Sequence, residues 1–235
     1  MYKSVLFLVT IFLLIEPAAA QPVHTVSEMR KVMMGQDLSA HLNWDTVTRL
    51  HLFGLSPLGR IQGEITILDG QIFTAVVDEE GRVRIGNDWQ VKAPFGVYAQ
   101  VPEWTTFQWK IKAGSEAELQ SVLEKRMKKA GYDLNQAMPF RIAGLFEQVE
   151  YHIISKPVTE QEHNHDLHDL AKKHFTLRNT SGELLGFYSR KHQGIFTHRG
   201  SYVHIHFLDD ARENMGHLES LLVKGKVKVR LPKLK

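Results

Sequence analysis

GEITILDGQIFTAVV, residues Gly63 to Val77, sets apolar against polar side chains on both sides of Asp69-Gly70. An Asp-Gly pair between two alternating runs is a tight hairpin signal. Two strands joined so tightly must pair antiparallel. The same style continues downstream. GRVRIG (81–86) and VYAQVPEWTTFQWKI (97–111) are rich in Val, Tyr, Trp and Thr, residues suited to a pleated surface. MPFRIAGLFEQVEYHIIS (138–155) returns to strand character, FTLRNTSGELLGFYSRK (175–191) reads as a second hairpin about Thr180-Ser181-Gly182, and IFTHRGSYVHIHFLDD (195–210) reads as the last long strand. MGHLESLLVKGKVKVRL (215–231) closes the chain as a short helix or strand.

Helical spacing interrupts these strands in few places. In SEAELQSVLEKRMKKAGYDL (115–134), Ser115 and Glu118 form a capping box, Leu119, Val122 and Leu123 fall on one face, and lysines precede Gly131. TVSEMRKVMMGQDL (25–38) predicts a short amphipathic helix capped by Ser27 and ended by Gly35. KPVTEQEHNHDLHDLAKKH (156–174) predicts a polar connector leading into a short helix. Many sequence-adjacent strands with two or three helices give an α+β fold: two lobes of mixed, mostly antiparallel β-sheet with a few helices. The polar connector sets the expected division into residues 21–156, a β-rich N-terminal lobe, and 157–235, a C-terminal lobe carrying the site histidines.

Composition narrows the function. The chain has 235 residues, 43% hydrophobic and 23% charged, which is ordinary for a globular protein. Its net charge of +3, from 29 Lys+Arg against 26 Asp+Glu, is concentrated in the tail VKGKVKVRLPKLK and gives no ground for a nucleic-acid partner. MYKSVLFLVTIFLLIEPAAAQ has a lysine at position 3, an apolar run from Val5 to Ile15 and small residues at 18–20, the three regions of a secretory signal peptide. Residues 1–20 are therefore expected to be removed, leaving a secreted or periplasmic protein with no membrane partner. The alternative is an uncleaved anchor, for which the apolar run is short. There is no cysteine, so disulfides and thiolate chemistry are excluded and any metal must be held by His, Asp or Glu.

SYVHIHFLDDARENMGHLE (201–219) carries the chemistry. Positions two apart on a strand face the same side, so His204 and His206 project together, about 7 Å apart along the axis. His217 follows across a turn, behind Gly216, which permits close backbone approach. Three imidazoles with room for water or substrate are the pattern of a catalytic metal site; an H-x-H pair alone is as consistent with ordinary core or surface histidines. His163, His165 and His168 could also bind a metal, but they fall in the polar connector without alternating apolar support and read first as a solvated linker. His192 and His198 read as surface residues, and Glu64 alone would read as a charge on the solvent face of a strand.

RGSYVHIHFLDDARENMGHLES resembles the zinc-binding segment of the α-acetolactate decarboxylase family, with the H-x-H and a G-H eleven residues later as its specific part. LHLFGLSPLGRIQGEITILDG, FRIAGLFEQV and NTSGELLGFYS are similar to further family segments in the same order, so the resemblance spans roughly Leu50 to Leu222. It implies that His204, His206 and His217 hold Zn2+ in the second lobe. It further implies that Glu64, from the first lobe, transfers a proton during conversion of 2-acetolactate to acetoin and carbon dioxide. It also implies a homodimer and a small-molecule keto-acid substrate. The chain departs from the family pattern in three places: His152 takes the position of a carboxylate-binding arginine, with Arg141 an odd number of residues away. No acidic residue follows Glu219 to supply a C-terminal glutamate, and Ser56 or Pro57 replaces a threonine. Two alternatives stay open, a related metal-dependent lyase or isomerase on another keto acid and a non-catalytic metal- or ligand-binding member of the fold.

Overall fold

A computed structural model describes residues 22–234, so the expected signal peptide lies outside the described residues. In chain order the elements begin with β1 (His24–Val26), α1 (Met29–Met33), β2 (Leu42–Asn43), β3 (Leu52–Pro57), β4 (Glu64–Leu68), β5 (Gln71–Val77), β6 (Val83–Gly86) and β7 (Lys92–Ala93). They continue with β8 (Gly96–Gln100), β9 (Trp104–Ala113), α2 (Glu116–Lys129), β10 (Met138–Ile154), α3 (His165–Ala171), β11 (Lys172–Tyr188), β12 (Val203–Asp209) and β13 (Met215–Pro232). The expected α+β class holds, and every strand pairing is antiparallel.

One sheet has the order β1-β8-β3-β4-β5-β6, and β2 pairs with β7 beside it. The other has the order β10-β11-β12-β13-β9, and β10 also pairs with β13, so the pairings β10-β11-β12-β13 return on themselves. The sheets part between Gln100 and Trp104, ahead of the division expected at 156/157, and the second sheet draws β9 and β10 from before that connector. One hydrophobic core joins both sheets: Phe53, Leu55 and Val97 from the first meet Phe140, Tyr151, Ile205 and Phe207 from the second, with Leu119, Leu123 and Met127 of α2. A smaller cluster around Trp44, Ile65 and Ile67 covers the outer face of the first sheet. Strand β4 is thus covered on both faces, with Ile65 and Ile67 in the outer cluster and the alternate residues Glu64 and Thr66 on the other side. This is why Glu64 is buried, against its ordinary place on a solvent face.

Three local expectations change. The hairpin about Thr180-Ser181-Gly182 is absent: β11 runs unbroken for 17 residues, and Asn179 absorbs the irregularity at φ 51. Gly182 serves close packing instead, since a Cβ there would lie 2.6 Å from the Leu208 carbonyl oxygen and the Phe207 ring. The chain ends on the 18-residue strand β13, which is longer than β12: Val223, Val227, Val229 and Leu231 are buried while Lys224, Lys226 and Lys228 are exposed, a period of two. Helix α1 is only five residues long, and Ser27, at φ 58, does not cap it; Glu28 occupies that position without a side-chain cap. Ser115 caps α2 as expected, its Oγ accepting from Glu118 N at 3.2 Å, while Glu118 Oε2 reaches one residue further back than a capping box requires and accepts from Gly114 N at 2.8 Å.

Candidate metal centre

Register brings the histidines together. His206 on β12 stands directly opposite His217 on β13, and His217 stands opposite His152 on β10. Directly paired residues share a face, and His204 joins them two residues before His206. Ring centroids lie 5.1 Å apart for His204–His206, 4.9 Å for His204–His217 and 5.6 Å for His206–His217. One ligand atom from each of these three lies within 4.8 Å of the others, and all three residues are buried. The approach of β13 to β10 depends on Gly216, where a Cβ would meet the His152 carbonyl oxygen at 2.4 Å.

The first sheet completes the site. Thr66 Oγ1 lies 2.9 Å from His206 Nδ1, a contact buried from solvent. With Nδ1–H donating to Thr66, Nε2 keeps its lone pair, and no protein group satisfies it; His204 Nδ1 is likewise bare. Bare buried nitrogens carry a cost unless something binds them. Two such lone pairs, with the His217 ring within reach of the same point, fit a divalent cation. Glu64 Oε2 lies 3.7 Å from His206 Nε2, and its Oε1 accepts a hydrogen bond from Ile154 N at 3.2 Å.

Electrostatics follow burial. Desolvation pushes the Glu64 carboxyl up to about 8, against the pull of the Ile154 amide and the Lys172 charge. It lowers His206 to about 3, with the His152 charge adding to the effect, and holds His204 and His217 well below the usual imidazole range. His152 is lowered by burial, while Glu219 works the other way. Its Nδ1 is 2.6 Å from Glu219 Oε1, an ion-pair contact without hydrogen-bond alignment, and its Nε2 is 4.0 Å from Glu64 Oε1.

All five residues singled out from sequence, Glu64, His152, His204, His206 and His217, therefore meet. Arg141 does not: its guanidinium binds Glu183 at 2.7 and 3.0 Å, beside the Phe53 ring. Ser56 turns outward, its Oγ accepting from Trp44 Nε1 at 2.9 Å, while Pro57 lines the site. His168, expected in a solvated connector, is buried on α3, with its Nδ1 3.2 Å from His163 Nε2; His165 stays exposed. His198, expected at the surface, has its ring 5.3 Å from that of His217. Thr66, against His206, and Lys172, in the cavity wall, join the site as well; the two-residue spacing from Glu64 is the one sequence signal that points to Thr66. A cavity of about 40 Å³ is lined by Glu64, His152, His168, Lys172, His198, His204 and His217, with Met29, Val32, Phe95 and Ile154 as apolar lining.

The profile of the alpha-acetolactate decarboxylase family matches residues 19–235. Among solved structures, alpha-acetolactate decarboxylase from Bacillus subtilis strain 168 superposes with a TM-score of 0.73 at 19% identity, covering 91% of this chain and 86% of that one. Acetolactate decarboxylase from Bacillus subtilis subspecies spizizenii gives 0.72 at 20% identity, over 90% and 86%. A Staphylococcus aureus protein of unknown function, similar to alpha-acetolactate decarboxylase, gives 0.72 at 19%, over 89% and 84%. At these identities the superpositions speak to the fold. No curated protein sequence matches the chain.

Proposed function

Because the chain belongs to the alpha-acetolactate decarboxylase family, we propose that it is a zinc-dependent carboxy-lyase that converts 2-acetolactate to acetoin and carbon dioxide. The observation that carries this reading is the convergence of His204, His206 and His217, buried and within reach of a single ion, with Glu64 beside His206. His204, His206 and His217 would hold the zinc, which supplies Lewis-acid stabilisation of the negative charge that decarboxylation leaves on the substrate.

The remaining work falls to the chain's own groups. The bond from the carboxylate to its neighbouring carbon breaks, the electron pair moves toward the adjoining ketone, and a proton must then reach carbon. Glu64 is placed to deliver it: burial favours its proton-carrying form, and the Ile154 amide fixes Oε1 while Oε2 lies toward His206. Met29, Val32, Phe95 and Ile154 give the cavity apolar walls, which strengthen the charge interactions beside them. Lys172 offers a donor to a substrate carboxylate, and His152 lies beside it with Nδ1 turned to Glu219. Among the described residues no arginine lines the chamber, which favours a close relative of acetolactate as the alternative substrate.

The test is acetoin release from racemic 2-acetolactate by the zinc-loaded chain beginning at Gln21, beside an enzyme-free control. Zinc-dependent release above background supports the reading; background release with one zinc bound per chain refutes it. Glu64→Gln should lower kcat at least 100-fold with zinc content unchanged. His204→Ala should lose the zinc itself, as read by metal analysis after dialysis. The reading includes export with loss of residues 1–20 and a homodimer. An exported protein whose first residue is Gln21, with a sedimentation mass twice that of one chain, is the expected result.

A further inference from the structure

A second cavity of about 750 Å³ lies outside the histidine-lined chamber, and the two share Met29, Met33 and His198 in their walls. The inner space is much the smaller, about 40 Å³. The wall that the two cavities share therefore limits what passes from the outer cavity to the histidines. The separating element is α1. It is a five-residue helix between two residues with left-handed backbone, Ser27 at φ 58 and Gly35 at φ 68. Its N-cap gives no side-chain bond; Met29 N and Arg30 N donate instead to the carbonyls of Ile195 and Gly194, at 2.7 and 3.0 Å. Its inner face presents methionines, whose unbranched side chains change rotamer at low cost. So short a helix draws its stability from what it packs on.

The outer cavity has a one-sided chemistry. Its charged and titratable lining consists of Arg30, paired with Glu28 at 2.5 Å, His165, 3.6 Å from Asp169, His198 and Arg199, and no carboxylate itself lines it. Arg199 is exposed and has no acidic partner within 4 Å among the described residues. We propose that the outer cavity is a vestibule that binds a small carboxylate-bearing ligand at Arg199, and that α1 is the door through which that ligand passes to the histidine-lined chamber. The ligand class rests on the decarboxylase reading, whereas the door does not.

The absence of cysteine makes a clean lock available. A Cβ on Gly194 would lie 3.8 Å from the Cβ of Arg30, the mean separation in disulfides. In the zinc-loaded Arg30→Cys/Gly194→Cys chain, oxidation should slow zinc removal by dipicolinate and by 1,10-phenanthroline at least tenfold, and reduction should restore it. Equal removal rates in the oxidised and reduced forms overturn the door. Met33→Ala, which needs no new bond, should speed removal by both chelators; no change or a slower rate counts against the door equally. Arg199→Glu should slow dipicolinate, an anion, at least threefold while sparing neutral phenanthroline. An equal effect on both chelators, or on neither, overturns the anion site. Acetoin release distinguishes the two ideas. If the wild type never releases acetoin yet the lock still governs zinc removal, the decarboxylase reading falls and the door stands.

Discussion

Thr66 decides which nitrogen of His206 faces the chamber, although it touches no substrate. Thr66→Val keeps the shape, removes the acceptor and strands a buried ring N–H. Zinc affinity should fall about 10- to 100-fold, the usual cost of losing such a supporting bond. Competition against a chromophoric chelator measures it, and an affinity within threefold of wild type would sink the assignment. At this scale the sequence was informative where spacing along one strand sufficed. His204 and His206 were legible because two residues on one strand share a face, and Glu64 because it stands beside a recognisable segment. Thr66 carried the same two-residue signal from Glu64 but had no reason to be chosen until His206 lay opposite. His168, His198 and Lys172 gave no local signal, since α3 and the 192–200 turn reach the chamber only through tertiary packing.

Among elements, β13 matters most to the site. It carries His217 at one end, and its pairing with β10 requires a bare backbone at Gly216. Gly216→Ala forces a methyl against the His152 carbonyl, at a cost of about 1–3 kcal/mol or more. For a chain of this size that lowers Tm by roughly 2–4 °C per kcal/mol. Zinc affinity should drop with it, because His206 and His217 face each other across the shifted pair; calorimetry with metal titration reads both. A rise in Tm would refute the close approach. The alternation of valine with lysine in KVKVRL marks β13 as a strand, whereas ESLL upstream is compatible with a helix turn, so the segment was ambiguous when read alone. In β11 the Asn-Thr-Ser-Gly stretch has the composition of a turn. Its actual use, a positive φ at Asn179 and a close contact at Gly182, becomes visible only once β10 and β12 flank it.

For the whole molecule, the buried histidines set a pH dependence. His152, His168, His204, His206 and His217 all have imidazoles held below their ordinary value by burial. Between about pH 3 and 6.5 the unfolded chain therefore binds more protons than the folded one, and stability falls as pH falls through that window. Glu64, raised to about 8, and Glu116, raised by burial to about 7, act in the opposite sense: their contributions are full below about 4.5 and are lost as pH rises toward those values. The histidines outnumber them, so the Tm of the zinc-free protein should decrease from pH 6.5 to pH 5. A flat or rising Tm over that range would contradict the burial of the cluster. The α+β class was readable from hairpins and periodicity. The parting of the sheets was not, because β9 and β10 join β11 and β13 through long-range pairing that no local composition announces.

The placement of the ligands also has a kinetic consequence. His204, His206 and His217 lie within thirteen residues of one another along the chain, on two strands joined by a short turn, so bringing them together closes only a small loop. Thr66 reaches His206 across 140 residues, and Glu64 comes from the same distant strand. Contacts of such unequal separation form at unequal rates. During refolding the nascent β12–β13 hairpin can capture an ion while the first sheet is still assembling, and the proton-carrying group arrives last.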